Sequence, residues 1–146
     1  RPESLGTSLA QTGSQSVWVT KGQSAELELN GYTLVIPKGA SPKGQTLFVM
    51  SLVPVTDETG TYQLVRLKAY DNKGASVTTF KTPLRLTIPF ENADPDQLTD
   101  TSKLRVGYVA DGTTNILEVI PGTINNTAQT ITAVLTHFSD YTPILN

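Results

Sequence analysis

The sequence predicts an all-β protein, an Ig-like antiparallel β-sandwich of about nine strands. Apolar and polar residues alternate along most of the chain, the alternating runs are short, and turn residues separate them. The segment 25–29 is the clearest strand, because Glu26 and Glu28 lie between three apolar residues. Asn30-Gly31 follows it, a pair typical of tight hairpin turns. Threonine is frequent, and its β-branched side chain suits a pleated surface.

The other strand segments follow in chain order, separated by Gly, Pro, Asn and Asp. We place them at 16–19, 32–36, 46–53, 62–70, 75–80, 84–88, 103–109, 116–120, 130–136 and 141–145. The turn 71–74 is expected to close a hairpin. A polar, acidic stretch at 91–102 interrupts the series. No long linker divides the chain, so the pattern indicates one domain over residues 15–146, preceded by an extension.

The composition argues against an enzyme. The chain of 146 residues contains no cysteine and one histidine, His137. Nucleophilic, acid–base and zinc chemistry mostly depends on His, Cys or clustered carboxylates. A domain of this length can bury a core without disulfides or metals. We therefore predict a structural or binding module with no cofactor.

Charge and hydropathy restrict the partners and the compartment. The net charge is -2 with no evident basic patch, which argues against nucleic acid as a partner. No apolar run approaches the roughly 20 residues of a membrane span. Only 16% of residues are charged, a composition that favours an extracellular or cell-surface location. The chain starts at Arg1 without Met or a visible signal peptide, so we expect a mature protein or part of a longer one.

Residues 1–14 form a polar N-terminal extension. Leu5, Thr7 and Leu9 occur at strand spacing, which predicts a strand with one apolar face. Such a strand could dock on its own domain or enter the groove of another molecule. Strand addition of the second kind supplies backbone pairing and buries alternate side chains. We therefore treat these three residues as candidate assembly residues.

Three phrases carry a family resemblance: Leu-Val-Ile-Pro-Lys-Gly-Ala at 34–40, Leu-Arg-Leu-Thr-Ile-Pro at 84–89 and Thr-His-Phe-Ser-Asp-Tyr at 136–141. Their order and spacing resemble the ZU5-like β-sandwich, especially its bacterial surface-protein relatives. The resemblance spans roughly residues 26–145. It implies a domain used for interaction or assembly and names no ligand.

The resemblance also implies a possible self-cleavage, because some relatives cut between Phe and Ser of the last phrase. Ser139 would attack the carbonyl of Phe138, and His137 would assist proton transfer. In a strand, His137 and Ser139 would face the same side. The alternative is structural: Phe138 fills the core and its neighbours cap the sheet.

Four further features have a functional and a structural interpretation. Asp94, Asp96 and Asp100 could offer oxygens to calcium, but Asp-Pro-Asp is also ordinary turn chemistry. Asn125 begins an Asn-Asn-Thr glycosylation sequon. Glu118 could be a buried carboxylate, or a solvated residue on an edge strand. The scattered aromatic residues could form a carbohydrate platform or serve as core and rim positions.

Three classes of function follow from these features. The first is an extracellular structural module, a filament or surface-layer subunit joined to copies of itself by N-terminal strand addition. The second is a passive adhesion or spacer domain that contacts neighbouring domains of a larger surface protein. The third is an autoproteolytic domain that cuts at Phe138-Ser139.

Overall fold

The structure, a computed structural model, describes residues 2–146 and consists of two antiparallel sheets packed as a sandwich. Strands account for 61% of it and helix for 2%, which confirms the all-β sandwich. From eleven candidate segments we expected about nine strands, and residues 2–146 form twelve strands. They are β1 (Glu3–Ser4), β2 (Gly13–Thr20), β3 (Ala25–Leu29), β4 (Tyr32–Ile36), β5 (Gln45–Asp57), β6 (Gly60–Asp71), β7 (Thr79–Pro89), β8 (Leu104–Val109), β9 (Ile116–Ile120), β10 (Gly122–Asn125), β11 (Thr130–His137) and β12 (Asp140–Leu145).

Two turns predicted from local sequence are confirmed. Asn30 and Gly31 both have positive φ, 51° and 89°, as a tight hairpin turn between β3 and β4 requires. The turn at 71–74 brings Ser76 back beside Tyr70 in an antiparallel bridge. The chain then leaves that sheet and continues as β7 in the other one. The predicted strand 75–80 is therefore divided, since only its last two residues belong to β7.

The larger sheet has the order β2-β5-β6-β12-β8-β9, and β1 lies beside β12. The first residues of β12, Asp140 and Tyr141, pair with β6. Its last residues, Ile144 and Leu145, pair with β1. Because β8 pairs with all of β12 on the opposite edge, the N-terminal strand lies on the same edge as β6, beyond the two residues that β6 pairs with.

The smaller sheet has the order β10-β11-β7-β4-β3. Pro83 lies within β7 although proline cannot donate a backbone hydrogen bond. The pairing of β7 with β11 shifts register between Leu135 and His137, next to Leu84, the partner of Leu135. The irregularity of the ladder at this point accommodates the proline.

The core fills the space between the two sheets. Leu34 and Leu86 of the smaller sheet and Met50 and Leu67 of the larger one are completely inaccessible to solvent. Aromatic rings close one end of this core, where the Phe80 and Phe138 rings lie 4.6 Å apart, centre to centre, and both contact Phe48.

A short 3₁₀ turn, Thr101–Lys103, leads into β8. In residues 2–146 no helix has the length and apolar character needed to cross a membrane.

Candidate functional site

The N-terminal segment, residues 2–11, packs against its own sandwich. Glu3 and Ser4 pair with Leu145 and Ile144 of β12. The Leu5 backbone N–H donates to the carbonyl of Pro143 at 3.0 Å. The Leu5 side chain is 1% exposed and belongs to the core. Arg1, the first residue of the predicted extension, lies outside the described residues.

Gln97, in the loop between β7 and β8, holds the N-terminal segment in place. Its side-chain N–H donates to the Ser4 carbonyl at 2.8 Å, and its side-chain oxygen accepts from the Gly6 N–H at 2.9 Å. The Gly6 carbonyl in turn accepts from the backbone N–H of Asp94. The segment and this loop therefore stabilise each other.

The predicted strand through Leu5, Thr7 and Leu9 is wrong, because β1 ends at Ser4 and Thr7 forms an isolated bridge with Ala93. Thr7 donates its backbone N–H to Thr61 at 2.9 Å, whereas the Leu9 side chain is 48% exposed. The three residues do not share one buried face. A cavity of about 20 Å³ remains beneath the segment, about the space of one water molecule.

His137, Phe138 and Ser139 lie at the corner between two strands of different sheets. β11 ends at His137 and β12 begins at Asp140. The strand alternation that would place His137 and Ser139 on one side does not extend over this corner. Phe138 is 8% exposed and packs in the aromatic end of the core, as the structural alternative predicted.

The two ring nitrogens of His137 face other partners. Nδ1 lies 3.0 Å from the Tyr141 hydroxyl, and Nε2 lies 3.6 Å from a Glu118 carboxylate oxygen. The Tyr141 hydroxyl donates to the His137 carbonyl at 2.6 Å, and burial raises the pKa of this tyrosine. Within residues 2–146 no hydrogen bond joins His137 to the Ser139 hydroxyl. Glu118 is on the edge strand β9 with its side chain 54% exposed, which confirms the solvated interpretation.

Asp140 is buried beside this corner and has a charged partner. Its two carboxylate oxygens accept from Arg66 Nε at 2.8 Å and Nη2 at 2.9 Å. The backbone N–H of Gly112 donates to the same carboxylate at 2.8 Å. The hydrogen bonds from Arg66 and Gly112 join β6, β12 and the turn after β8. The sequence contains no local signal for this pair, because its members are 74 positions apart.

Asp94, Asp96 and Asp100 do not form a shared ligand set. Among residues 2–146 no three His, Cys, Asp or Glu side chains lie close enough to hold one metal ion. Asp94 accepts from the Asp96 backbone N–H, and Asp100 accepts from the backbone N–H and hydroxyl of Ser102. These contacts correspond to the turn chemistry that the sequence offered as the alternative.

The remaining predicted site residues are dispersed. Asn125 is exposed at the end of β10, and its side-chain oxygen accepts from the Ala128 N–H in the following turn. Trp18 of β2 is 52% exposed, whereas Tyr32 of β4 and Tyr141 are buried. These three aromatic side chains therefore form no common platform for a carbohydrate.

A cleft of about 670 Å³ opens at the end of the sandwich where β2 ends and β7 begins. We call it the basic cleft: its rim carries Lys21, Lys43 and Lys81, and buried Ala40 and Phe80 line it. The lysines come from three separate parts of the chain. The sequence shows no evident basic patch, because no local run of lysines marks this cleft.

Comparisons of the chain with models of protein families, with curated proteins and with solved structures find no match. The likeness of the three sequence phrases to the ZU5-like family therefore stays a prediction from those residues.

Proposed function

We propose that the chain is an extracellular structural module, a spacer or adhesion domain of a surface structure, closed by its own N-terminal segment. The supporting observation is the position of Leu5, which is 1% exposed in the core of the same molecule. An uncovered sheet edge invites pairing with another chain. Pairing of β1 with β12 covers such an edge within the molecule.

The first alternative is assembly by strand exchange, in which the segment enters a second copy to build a filament or surface layer. It is supported by the connection between Ser8 and β2. In that connection, residues 9–12, Gln11 exchanges hydrogen bonds with the Gln63 side chain, and Gly13, the first residue of β2, has φ of 144°. A short connection of this kind permits domain swapping, in which the same contacts form between copies.

A disulfide trap distinguishes the two arrangements. The chain contains no cysteine, so E3C/L145C introduces the only two thiols. Glu3 and Leu145 are direct partners, and opposed residues of antiparallel strands lie about 4.5–5.5 Å apart, within disulfide range. We expect oxidation to give a single band at monomer mass on a non-reducing gel. A ladder of linked chains would instead establish strand exchange. E3C/V134C, with the second thiol on the other sheet, is the matched control and should not crosslink within one chain.

Self-cleavage is the remaining alternative, and it depends on His137 and Ser139 acting at the corner before β12. Intact mass measured after prolonged incubation tests it directly. Fragments that end at Phe138 and begin at Ser139 would support it. The spacer function requires that the chain stays whole.

A further inference from the structure

The two ends of the sandwich carry opposite charge. At one end Lys38 joins the three lysines of the basic cleft, and the neighbouring turn carries Lys73 together with one carboxylate, Asp71. At the other end the acidic loop, residues 91–100, carries Glu91, Asp94, Asp96 and Asp100. The turn between β5 and β6 adds Asp57 and Glu58 there. Among residues 2–146, the cations near this acidic end are Lys103 and Arg105.

Strand β7 fixes the separation of the two surfaces. Lys81 is near its start, and Glu91 follows its last residue, Pro89, by two positions. At about 3.3 Å per strand residue, they lie about 30 Å apart. This exceeds the screening length of about 8 Å at physiological salt. One molecule therefore cannot bring its acidic loop to its own basic cleft.

The acidic loop is held in a fixed shape. The backbone N–H groups of Gln97 and Leu98 donate to the Asp94 carbonyl, which makes a tight turn with Asp96 exposed at its tip. The contact from Asp94 to Gly6 and the Gln97 hydrogen bonds to the N-terminal segment hold this turn against the sandwich. A pre-ordered loop loses little conformational entropy on docking.

We propose that the basic cleft receives the acidic loop of a second copy of this chain, so that molecules associate end to end. Charge complementarity supports this occupant, because each molecule carries both halves of the contact. Such a contact is heterologous: it leaves a free cleft at one end and a free loop at the other, and repeats into an open chain. The inference depends on the proposed arrangement in which the N-terminal segment supports the loop of the same molecule.

Charge reversal at both ends gives a direct test. The cleft variant is K21E/K81E and the loop variant is E91K/D96K; all four side chains are exposed. We expect each variant alone to self-associate about tenfold more weakly than the unmodified chain, as loss of several ion pairs predicts. An equimolar mixture should associate again, because the native loop of the first variant meets the native cleft of the second. Sedimentation velocity over a concentration series measures both results.

The controls separate specific contacts from net charge. K68E/R85E makes the same charge change away from the cleft, and E26K/E28K makes it on β3 away from the loop. Both should associate like the unmodified chain. High salt, about 0.5 M, should weaken association of the unmodified chain, because it screens ion pairs at the surface.

All variants are made in the E3C/L145C chain, after oxidation within one molecule has been shown, and this locked chain is the unmodified chain of every comparison. Failure of that first step rejects the proposed function, whereas failure of the charge test rejects only the end-to-end contact. A locked chain that stays monomeric at low salt would overturn the inference, and so would a mixture that fails to associate. Loss of binding to an anionic polysaccharide in K21E/K81E, without self-association of the unmodified chain, would assign the cleft to a polyanion instead.

Discussion

The guanidinium of Arg66 forms two parallel hydrogen bonds with the carboxylate of Asp140, at 2.8 and 2.9 Å. Asp140 has no exposed surface, and the Arg66 side chain is 31% exposed. The two residues are also direct partners in the pairing of β6 with β12. The hydrogen bonds that Arg66 donates to Asp140 raise the pKa of Arg66. This pair fixes the start of the final strand to the middle of the larger sheet.

We expect Arg66→Ala to lower the free energy of unfolding by about 2–4 kcal/mol, because it leaves a buried carboxylate without its cation. Urea denaturation at neutral pH measures the change. Arg85→Ala, at an exposed arginine of β7, is the control and should change stability by less than about 0.5 kcal/mol. Equal effects of the two substitutions would show that the pair contributes little.

Leu5 and Leu9 provide a matched comparison within the N-terminal segment. Leu5→Ala removes a core side chain that is 1% exposed, and we expect a loss of about 2–4 kcal/mol. Leu9→Ala removes a side chain that is 48% exposed and should cost less than about 0.5 kcal/mol. The same denaturation experiment measures both. Similar small effects would mean that the segment does not close the sandwich in solution.

The Asp71 carboxylate makes the free energy of unfolding depend on pH in the acidic range. Backbone N–H groups of Ala75 and Lys73 donate to its carboxylate and lower its pKa below 3.8. Because the folded-state pKa is lowered, this stabilisation is present above about pH 4 and is lost as pH falls through the folded-state value. Asp71→Asn keeps the oxygen acceptor but does not titrate. We expect a smaller fall in stability between about pH 4 and pH 2 in this variant.

The residual acid dependence in Asp71→Asn has an expected source. Hydrogen bonds from Thr59 lower the pKa of Asp57, and those from Ser102 lower the pKa of Asp100. Asp57 and Asp100 also stabilise the folded state less as the pH falls, so part of the loss of stability in acid should persist in Asp71→Asn. Identical acid profiles for the variant and the unmodified chain would contradict a role for Asp71.

The Tyr32 hydroxyl makes the free energy of unfolding depend on pH in the alkaline range. Burial raises its pKa to about 12. Its stabilisation is therefore present below the unfolded-state value of about 10 and is lost as pH rises towards 12. Tyr32→Phe removes the titrating hydroxyl, so stability should fall less steeply between about pH 10 and pH 12. Thermal unfolding of both chains at several pH values in this range measures the difference in slope. Asp71→Asn should leave the alkaline profile unchanged and is the control.

Local sequence predicted the parts of this fold that depend on neighbouring residues. The alternation at 25–29 and the Asn30-Gly31 turn gave β3 and the hairpin to β4, since both signals act over a few residues. The alternation of Leu5, Thr7 and Leu9 gave a wrong prediction of a strand. Backbone hydrogen bonds to Pro143 and Thr61 decide the path of the chain after β1.

The sequence by itself determined an all-β sandwich, because side-chain period and turn chemistry are properties of short segments. It also identified Phe138 as a candidate core residue. Only the tertiary structure decided that Arg66 meets Asp140, that Leu5 lies in its own core, and that three distant lysines surround one cleft. These contacts depend on which strands become neighbours across the sheets. Strand pairing is set by the packing of the whole molecule, and a local pattern of residues does not specify it.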